Sequence, residues 1–379
     1  MKKLSTILLL FLVFTLPVLG QKKYKGLPVI KANSTVADYK IDKEFIKGNW
    51  NIMPQYSPDV LQVPVHGNKA KVVFYTDQDS ITYTVKAGKS YQFYVQLNDK
   101  AYALTELKGI GYEALKFNSR ENVVAYQLLY EQNEQNEYLQ TLREQYKLDE
   151  VVLGAANDTE KALRMVNWVH KQWKHNGANE PSSPDALTIL SEAKDGKQFR
   201  CVEYGIVTTA ALNAIGLPAR TMGLKMKDVE TVESGAGHVL LEVFLPDMHK
   251  WVMLDAQFDV MPVLKNVPLN AVEFQNAIAN NYEDLEIRSL SGTSKASYVT
   301  WVAPYLYYFD VRFDNREVLG AERATFNSKQ SLMLMPVGAK VPKVFQGKFP
   351  MDYLEYTTCL VDFYQAPQLS HSAAVSVKK

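Results

Sequence analysis

The chain has 379 residues, of which 47% are hydrophobic and 22% are charged, the balance of an ordinary globular protein. Its 42 basic and 41 acidic residues give a formal net charge of +1, which argues against a nucleic-acid partner and against an anionic-membrane surface. The length is sufficient for two or three units that each bury a core.

The first segment, MKKLSTILLLFLVFTLPVLGQ, predicts a secretory signal peptide over residues 1–20. Lys2 and Lys3 precede an apolar run over residues 8–19, and cleavage is expected near Gly20. A retained membrane anchor is the alternative, but the run is shorter than the roughly 20 apolar residues of a membrane span. No later segment is long and apolar enough to cross a bilayer. We therefore expect no stable membrane span after cleavage, and an exported protein in the periplasm, at the cell surface or in the medium.

Residues 21–105 predict an N-terminal β-rich domain. The stretches KAKVVFYT, SITYTVKA and SYQFYVQL are rich in Val, Tyr, Thr and Phe, and turn signals at TDQD, AGKS and LNDK separate them. They are typical of a small antiparallel unit. YKGLPVIKANST, which precedes them, is expected to be a linker or an irregular lead-in.

Residues 106–290 predict a domain that begins with helices. QNEQNEYLQTLREQYKL suits a surface helix, and NDTEKALRMVNWVHKQW predicts a second, with Asn157 or Asp158 at its start and Gly177 at its end. DALTILSEAK predicts a short third helix. Residues 291–379 then predict a β-rich extension, because YVTWVAPYLYYFDVRF, SLMLMPVG and YLEYTTCLVDFYQ are aromatic and β-branched. The last residues, PQLSHSAAVSVKK, are expected to be a frayed tail.

The segment FRCVEYGIVTTAALNAIGLPAR places one of the two cysteines at the start of a helix. The helix is apolar nearly all round and is therefore expected to be buried, with Gly216 as a left-handed cap and Pro218 preventing continuation. Free N–H groups and the helix dipole favour a thiolate at Cys201, and the same N–H groups are placed to receive an oxyanion. The alternatives are an inert buried thiol and a disulfide with Cys359.

A second segment, GAGHVLLEVFLPDMHKWVMLDAQFD, predicts two strands joined by a tight turn. His238 and Asp255 share a face if Leu245 pairs with Lys250, and also if it pairs with Met248. A longer turn that pairs Leu245 with Trp251 would place them on opposite faces. The pattern thus leaves three registers open, two of which bring an imidazole near a carboxylate.

These three segments together resemble the transglutaminase-like superfamily of papain-like folds. The resemblance is carried by CVEYGIVTTAALNAIGLPAR, GHVLLEVFL and WVMLD, which agree in order, and by the gaps of 37 and 17 residues between the cysteine, the histidine and the aspartate. It covers residues 155–262. It implies an α+β fold with a papain-like core, flanked by the β-rich segments.

The resemblance also implies a Cys201–His238–Asp255 triad that attacks amide bonds of a peptide or protein through a thioester. Trp173 is the expected second oxyanion donor, with simple packing of its ring as the alternative. Hydrolysis is slightly favoured over transfer to an amine, and a non-catalytic binding module for protein or glycan is the rival function. We expect no cofactor and no metal, since neither acidic calcium-loop spacing nor a histidine pair at metal spacing is present. The sequence does not predict the oligomeric state.

Overall fold

A computed structural model of the chain describes residues 22–55, 58–120, 126–131, 135–317 and 322–367. The predicted signal peptide over residues 1–20 and most of the predicted tail lie outside these ranges. Within them, no helix combines the length and the apolar character needed to span a membrane. The chain divides into two compact units after Gly111.

The first unit consists of strands in two sheets. One sheet has the order β1-β2-β8-β9-β5 and the other the order β4-β3-β6-β7. The strands are β1 (Lys23–Tyr24), β2 (Leu27–Ala32), β3 (Val36–Ile41), β4 (Glu44–Asn51), β5 (Asp59–Val65), β6 (Ala70–Tyr75), β7 (Ser80–Val85), β8 (Ser90–Leu97) and β9 (Ala101–Gly111).

Alternating apolar residues of these strands form one core. Val72 and Phe74 of β6, Phe93 of β8 and Leu107 of β9 are fully buried in it, which is the pattern of strands with one face turned inward. The β-rich character predicted for this region is confirmed. The expectation of an irregular lead-in is wrong, because β2 pairs in parallel with β8 and buries Ile30 and Ala32.

The second unit contains eight helices and thirteen strands among the described residues. The helices are α1 (Glu137–Gln145), α2 (Leu148–Val152), α3 (Asp158–His170), α4 (Ala186–Lys194), α5 (Cys201–Ala214), α6 (Ala271–Asn280), α7 (Lys295–Val302) and α8 (Leu360–Phe363). The strands are β10 (Leu129–Tyr130), β11 (Ala219–Lys225), β12 (Gly237–Leu245), β13 (Lys250–Leu254), β14 (Met261–Leu264), β15 (Val267–Pro268), β16 (Leu285–Arg288), β17 (Tyr308–Arg312), β18 (Asp314–Asn315), β19 (Ser331–Leu334), β20 (Val344–Phe345), β21 (Phe349–Pro350) and β22 (Leu354–Thr357). The predicted α+β class is confirmed.

A six-stranded sheet, with the order β13-β12-β11-β17-β19-β22, organises this unit. The pairs are antiparallel except for β19 with β22. Leu241, Val243 and Val252 point to the face that carries α5, while Leu240 and Phe244 point to the face that carries α6 and α7. Because neighbouring residues of a strand alternate between faces, β12 serves two separate cores.

The helix predictions for α1, α3, α4 and α5 are confirmed, with Asn157 as the cap of α3. α3 ends at His170, however, before the expected Gly177. The strand expectation for YVTWVAPYLYYFDVRF is wrong in its first half, because Ser294 caps a helix there and accepts a hydrogen bond from Ser297 N. The domain boundaries stay predictions. Residues 106–111 complete β9, and strands from both sides of residue 290 lie in the six-stranded sheet.

Candidate active site

Helix α5 presents Cys201 at its first turn. Eleven of its fourteen residues are buried, and Cys201, Val202 and Ile206 are the three that are not. Glu203 accepts a hydrogen bond from Arg200 N at 3.0 Å and pairs with the Arg200 guanidinium at 2.7 Å. The carboxylate of Glu203 therefore fixes the start of the helix.

Gly205 allows α5 to lie close against the sheet. A β-carbon at this position would lie 3.1 Å from Val239 Cγ1 and 3.2 Å from Thr221 Cγ2. Such separations are tighter than ordinary van der Waals contact, so a larger residue would push the helix away. The thiol one turn earlier is thereby held near the beginning of β12, where His238 is the second residue.

The hairpin of β12 and β13 adopts one of the predicted registers. Leu245 lies opposite Lys250, and His238 and Asp255 consequently point to the same side of the sheet. His238 Nε2 donates to Asp255 Oδ2 at 2.8 Å, and both residues are buried. This bond occupies Nε2 and leaves Nδ1 for another partner.

The thiol of Cys201 is the candidate for that partner. It lies close enough to raise the pKa of His238, and it is partly exposed, whereas the imidazole is not. Both cysteines are free, so the alternative of a disulfide to Cys359 is not realised. A sulfur, an imidazole and a carboxylate from three separate segments therefore converge in sequence order, with the sulfur on the accessible side.

Two further groups hold the Asp255 carboxylate. Tyr298 from α7 donates its hydroxyl to Oδ2 at 2.8 Å, and Gln257 N donates to Oδ1 at 3.1 Å. Burial raises the pKa of Tyr298 well above its ordinary value, and the Asp255 charge raises it further. The phenol consequently stays protonated and acts as a donor. Three donors converge on one carboxylate and fix its orientation toward His238.

The electrostatics favour a charged imidazole. Burial acts to lower the pKa of His238, but the Asp255 charge, the hydrogen bond to Asp255 and the contact with Cys201 outweigh it and raise the pKa to about 9. His238 therefore carries a proton at neutral pH, and an imidazolium beside a thiol stabilises the thiolate.

Trp173 lies beside the start of α5. Its ring lies 4.4 Å from that of Tyr204 at a tilt of 35° and meets Phe199 edge-on at 5.7 Å, and its backbone oxygen accepts from the Tyr204 hydroxyl at 2.8 Å. The indole Nε1 is buried and has no hydrogen-bond partner in the described structure. An unpaired buried N–H is costly, and a transient oxyanion would satisfy it.

A half-buried aromatic wall borders His238 and is formed by Phe258, Trp301 and Tyr305. The Trp301 ring meets the imidazole edge-on at 4.8 Å and lies 4.4 Å from Phe258 and 5.2 Å from Tyr305. Apolar rings on this side limit the approach of water to the imidazole, which strengthens its interaction with Asp255.

The sequence did not single out Tyr298, Trp301 or Tyr305. The available signal is helical spacing, because Tyr298 is four residues after Ser294, and Trp301 and Tyr305 follow after further gaps of three and four residues. His175 lies beyond the end of α3 and pairs through its backbone with Phe199. Burial lowers the pKa of His175, and the positive charge of His238 lowers it further, which places this histidine near the triad.

Comparisons with known proteins find one family model and several solved structures that resemble this chain. Residues 146–256 match the family model of the transglutaminase-like superfamily. No curated protein matches the chain. The similar solved structures include a candidate cysteine protease from Cytophaga hutchinsonii, with 15% identity, 59% of this chain and 68% of that chain covered, and a TM-score of 0.26.

Two further solved structures have lower coverage. The periplasmic domain of TgpA from Pseudomonas aeruginosa has 20% identity, covers 31% of this chain and 44% of that chain, and has a TM-score of 0.24. The red sea bream transglutaminase has 11% identity, covers 50% of this chain and 37% of that chain, and has a TM-score of 0.24. The chain thus spans less than half of the length of these two. The residues that match the family model, 146–256, contain the cysteine helix and the hairpin, so the likeness to the transglutaminase-like superfamily lies in the part of the chain that holds the site.

Proposed function

We propose that the chain is a thiol-dependent enzyme that acts on amide bonds of peptides or proteins, with Cys201 as nucleophile, His238 as proton carrier and Asp255 as the residue that orients the imidazole. The observation that carries the proposal is that His238 bonds to Asp255 through Nε2 while the Cys201 side chain lies close enough to the imidazole to raise its pKa. The same order of donor and acceptor operates in nucleophile–base–carboxylate sites on unrelated folds.

The first half-reaction forms a thioester. Cys201 Sγ attacks the carbonyl carbon, and the proton of the thiol resides on His238. The oxyanion accepts hydrogen bonds from N–H groups at the start of α5 and from Trp173 Nε1. When the tetrahedral adduct collapses, the C–N bond breaks and His238 returns the proton to the leaving amine.

The second half-reaction removes the acyl group. Water or a primary amine attacks the thioester, His238 accepts the proton of the attacking group, and the C–S bond breaks to regenerate the thiolate. Hydrolysis is the preferred direction in this proposal, because water is abundant and no feature among the described residues marks a dedicated amine site. We also propose export after cleavage near Gly20, which N-terminal sequencing of the mature protein tests.

Alkylation of the cysteines tests the chemistry. The full chain is treated with iodoacetamide between pH 5 and 10, and labelling of Cys201 and Cys359 is followed separately by peptide mapping. We expect Cys201 to react faster than a small free thiol near neutral pH and to lose this advantage in His238→Ala. Equal rates in the two proteins would favour the rival function, a binding module that uses the same groove.

The direction of the reaction needs its own assay. A protein substrate mixture is incubated with and without a labelled primary amine, and the products are weighed by mass spectrometry. Hydrolysis yields free carboxylates in both cases, whereas transfer incorporates the amine. Cys201→Ala is the matched control, and product formation that persists in this variant would refute the role of the thiol.

A further inference from the structure

A polar cavity of about 550 Å³ lies along helix α5, apart from the triad. Ile206 and Thr209 of α5 and Thr221 of β11 form one wall, and Arg312 and Arg323 form part of the opposite side. No residue of the triad lines it. Since Thr209 is eight residues after Cys201, the cavity extends to roughly 12 Å from the thiol along the helix axis.

Partly exposed residues of α5 lie between the thiol and this cavity. Cys201, Val202 and Ile206 are the three residues of the helix that are not fully buried. Residues four apart share one face of a helix, so Val202 leads directly to Ile206, which is itself part of the cavity wall. A ligand that begins at the thiol can therefore follow the surface of α5 into the cavity.

The two arginines in the cavity are not committed to ion pairs. Within the described ranges, the Arg312 guanidinium makes no hydrogen bond and no ion pair. Among the described residues, Arg323 donates to the backbone oxygens of Asp314 and Arg316, at 3.0 and 2.6 Å. Burial lowers the pKa of Arg312 and the charge of Arg323 lowers it further, while the charges of Glu317 and Asp314 act to raise it, so all three groups lie near this guanidinium.

The carboxylates of the cavity are largely occupied by other groups. Asp314 pairs with Arg316 at 2.8 Å, and Asp185 accepts from Thr188 N at the start of α4. Burial raises the pKa of Glu317 to about 7, so this residue carries only part of a negative charge at neutral pH. Glu322 is exposed. The two guanidinium groups therefore provide the hydrogen-bond donors of the cavity that its carboxylates do not take up.

We propose that this cavity is a remote subsite that binds a carboxylate of the peptide substrate. Two guanidinium groups are well suited to hold one carboxylate through several charge-assisted hydrogen bonds. An extended peptide rises about 3.3 Å per residue, so the carboxylate lies three or four residues from the amide that reacts with Cys201. The proposal rests on the proposed function for its substrate, but the binding of a carboxylate can be measured without turnover.

Peptide binding to the full chain with Cys201→Ala tests the subsite. Fluorescein-labelled hexapeptides of alanine contain one glutamine and, in the first pair, a glutamate four positions before or after it, with an amidated C-terminus. A third peptide has no glutamate but a free C-terminal carboxylate, and a fourth is uncharged. Affinities are measured by fluorescence anisotropy at fixed ionic strength, because charge–charge attraction is screened by salt.

We expect at least one carboxylate peptide to bind about tenfold more tightly than the uncharged peptide, and comparison of the first three identifies whether a side chain or a chain end is bound. Arg312→Gln removes this preference. Arg288→Gln is the matched control, since it deletes the same charge on β16, where the guanidinium bonds to Asn266. Equal binding of all four peptides, no binding by any of them, or equal losses in the two arginine variants would overturn the subsite.

The test of the carboxylate subsite can fail independently of the test of the proposed enzyme function. If wild type shows Cys201-dependent turnover but Arg312→Gln leaves the KM of a glutamate-containing substrate unchanged, the subsite is refuted and the enzyme proposal stands. If turnover is absent while Arg312 still controls binding of the carboxylate peptides, the enzyme proposal fails and the cavity remains a carboxylate site.

Discussion

The raised pKa of His238 depends chiefly on the carboxylate of Asp255, and the substitution Asp255→Asn should lower this pKa. The pKa of His238 lies at about 9 against an ordinary value of 6.5, and burial alone acts in the opposite direction. At about 1.4 kcal/mol per pKa unit, the charged imidazole gains about 3 kcal/mol from its surroundings. Asparagine keeps the shape of the side chain but removes the charge, so burial then dominates and the pKa should fall below 6.5.

NMR spectroscopy of the full chain with ¹³C-labelled histidine measures this change directly. The imidazole signal of His238 is assigned as the one that is missing in His238→Ala, and it is followed from pH 5 to 10.5. We expect a midpoint near 9 in wild type and below 6.5 in Asp255→Asn. The alkylation rate of Cys201 at pH 7 should fall in parallel, because a neutral imidazole no longer stabilises the thiolate.

The refuting results are specific. A wild-type midpoint at or below 6.5 would mean that burial outweighs Asp255, contrary to the 2.8 Å contact. An unchanged midpoint in Asp255→Asn would mean that another group carries the effect. In either case the proposed division of roles between His238 and Asp255 would be wrong.

The remaining predictions concern stability, catalysis and packing. Because the pKa of His238 is raised in the folded protein, the contribution of its protonation to stability is complete below pH 6.5 and is lost as the pH rises through 9. The free energy of unfolding, measured in urea, should therefore fall by up to about 3 kcal/mol over this window, and Asp255→Asn should abolish that pH dependence. Tyr298→Phe removes a buried donor to a charged acceptor and should cost about 2 kcal/mol in urea unfolding, with a lower alkylation rate of Cys201; no change in either would contradict its role. Trp173→Phe keeps an aromatic ring but deletes the N–H, so kcat should fall about 100-fold, and an unchanged kcat would leave Trp173 as a packing residue. Gly223→Ala places a β-carbon 2.6 Å from Asp310 Oδ1 and should displace the Asp310 carboxylate from buried Lys225. The free energy of unfolding should fall by about 3 kcal/mol, which a lower thermal midpoint would reveal.

The parts of the site that the sequence predicted are those encoded by local patterns. The apolar helix begins at a cysteine and ends before Gly216, which has a φ of +82°, and these features need no knowledge of the rest of the chain. The hairpin is also local, since the turn after Leu245 restricts the register to a few choices and two of them place His238 and Asp255 on one face.

The parts that were missed depend on distant partners. Tyr298 lies 43 residues from Asp255, and no local pattern in the intervening sequence predicts that α7 packs over the end of the hairpin. Its segment contains Tyr298, Val299 and Trp301, types that favour strands, but tertiary packing against Phe274 and Phe258 outweighs that preference. The lead-in strand β2 was missed because Pro28 and Lys31 interrupt its apolar pattern.

The position of β11 in its sheet sets a lower limit on the smallest piece of chain that can fold alone. The family match ends at residue 256, yet β11 pairs on its far side with β17, at residues 308–312. In a polypeptide truncated to the matched residues, one edge of β11 would be unpaired, and Leu240 and Phe244 would lose the residues that bury them. Such a fragment should self-associate through edge-to-edge pairing. Recombinant truncations of this protein therefore need to extend at least through β22.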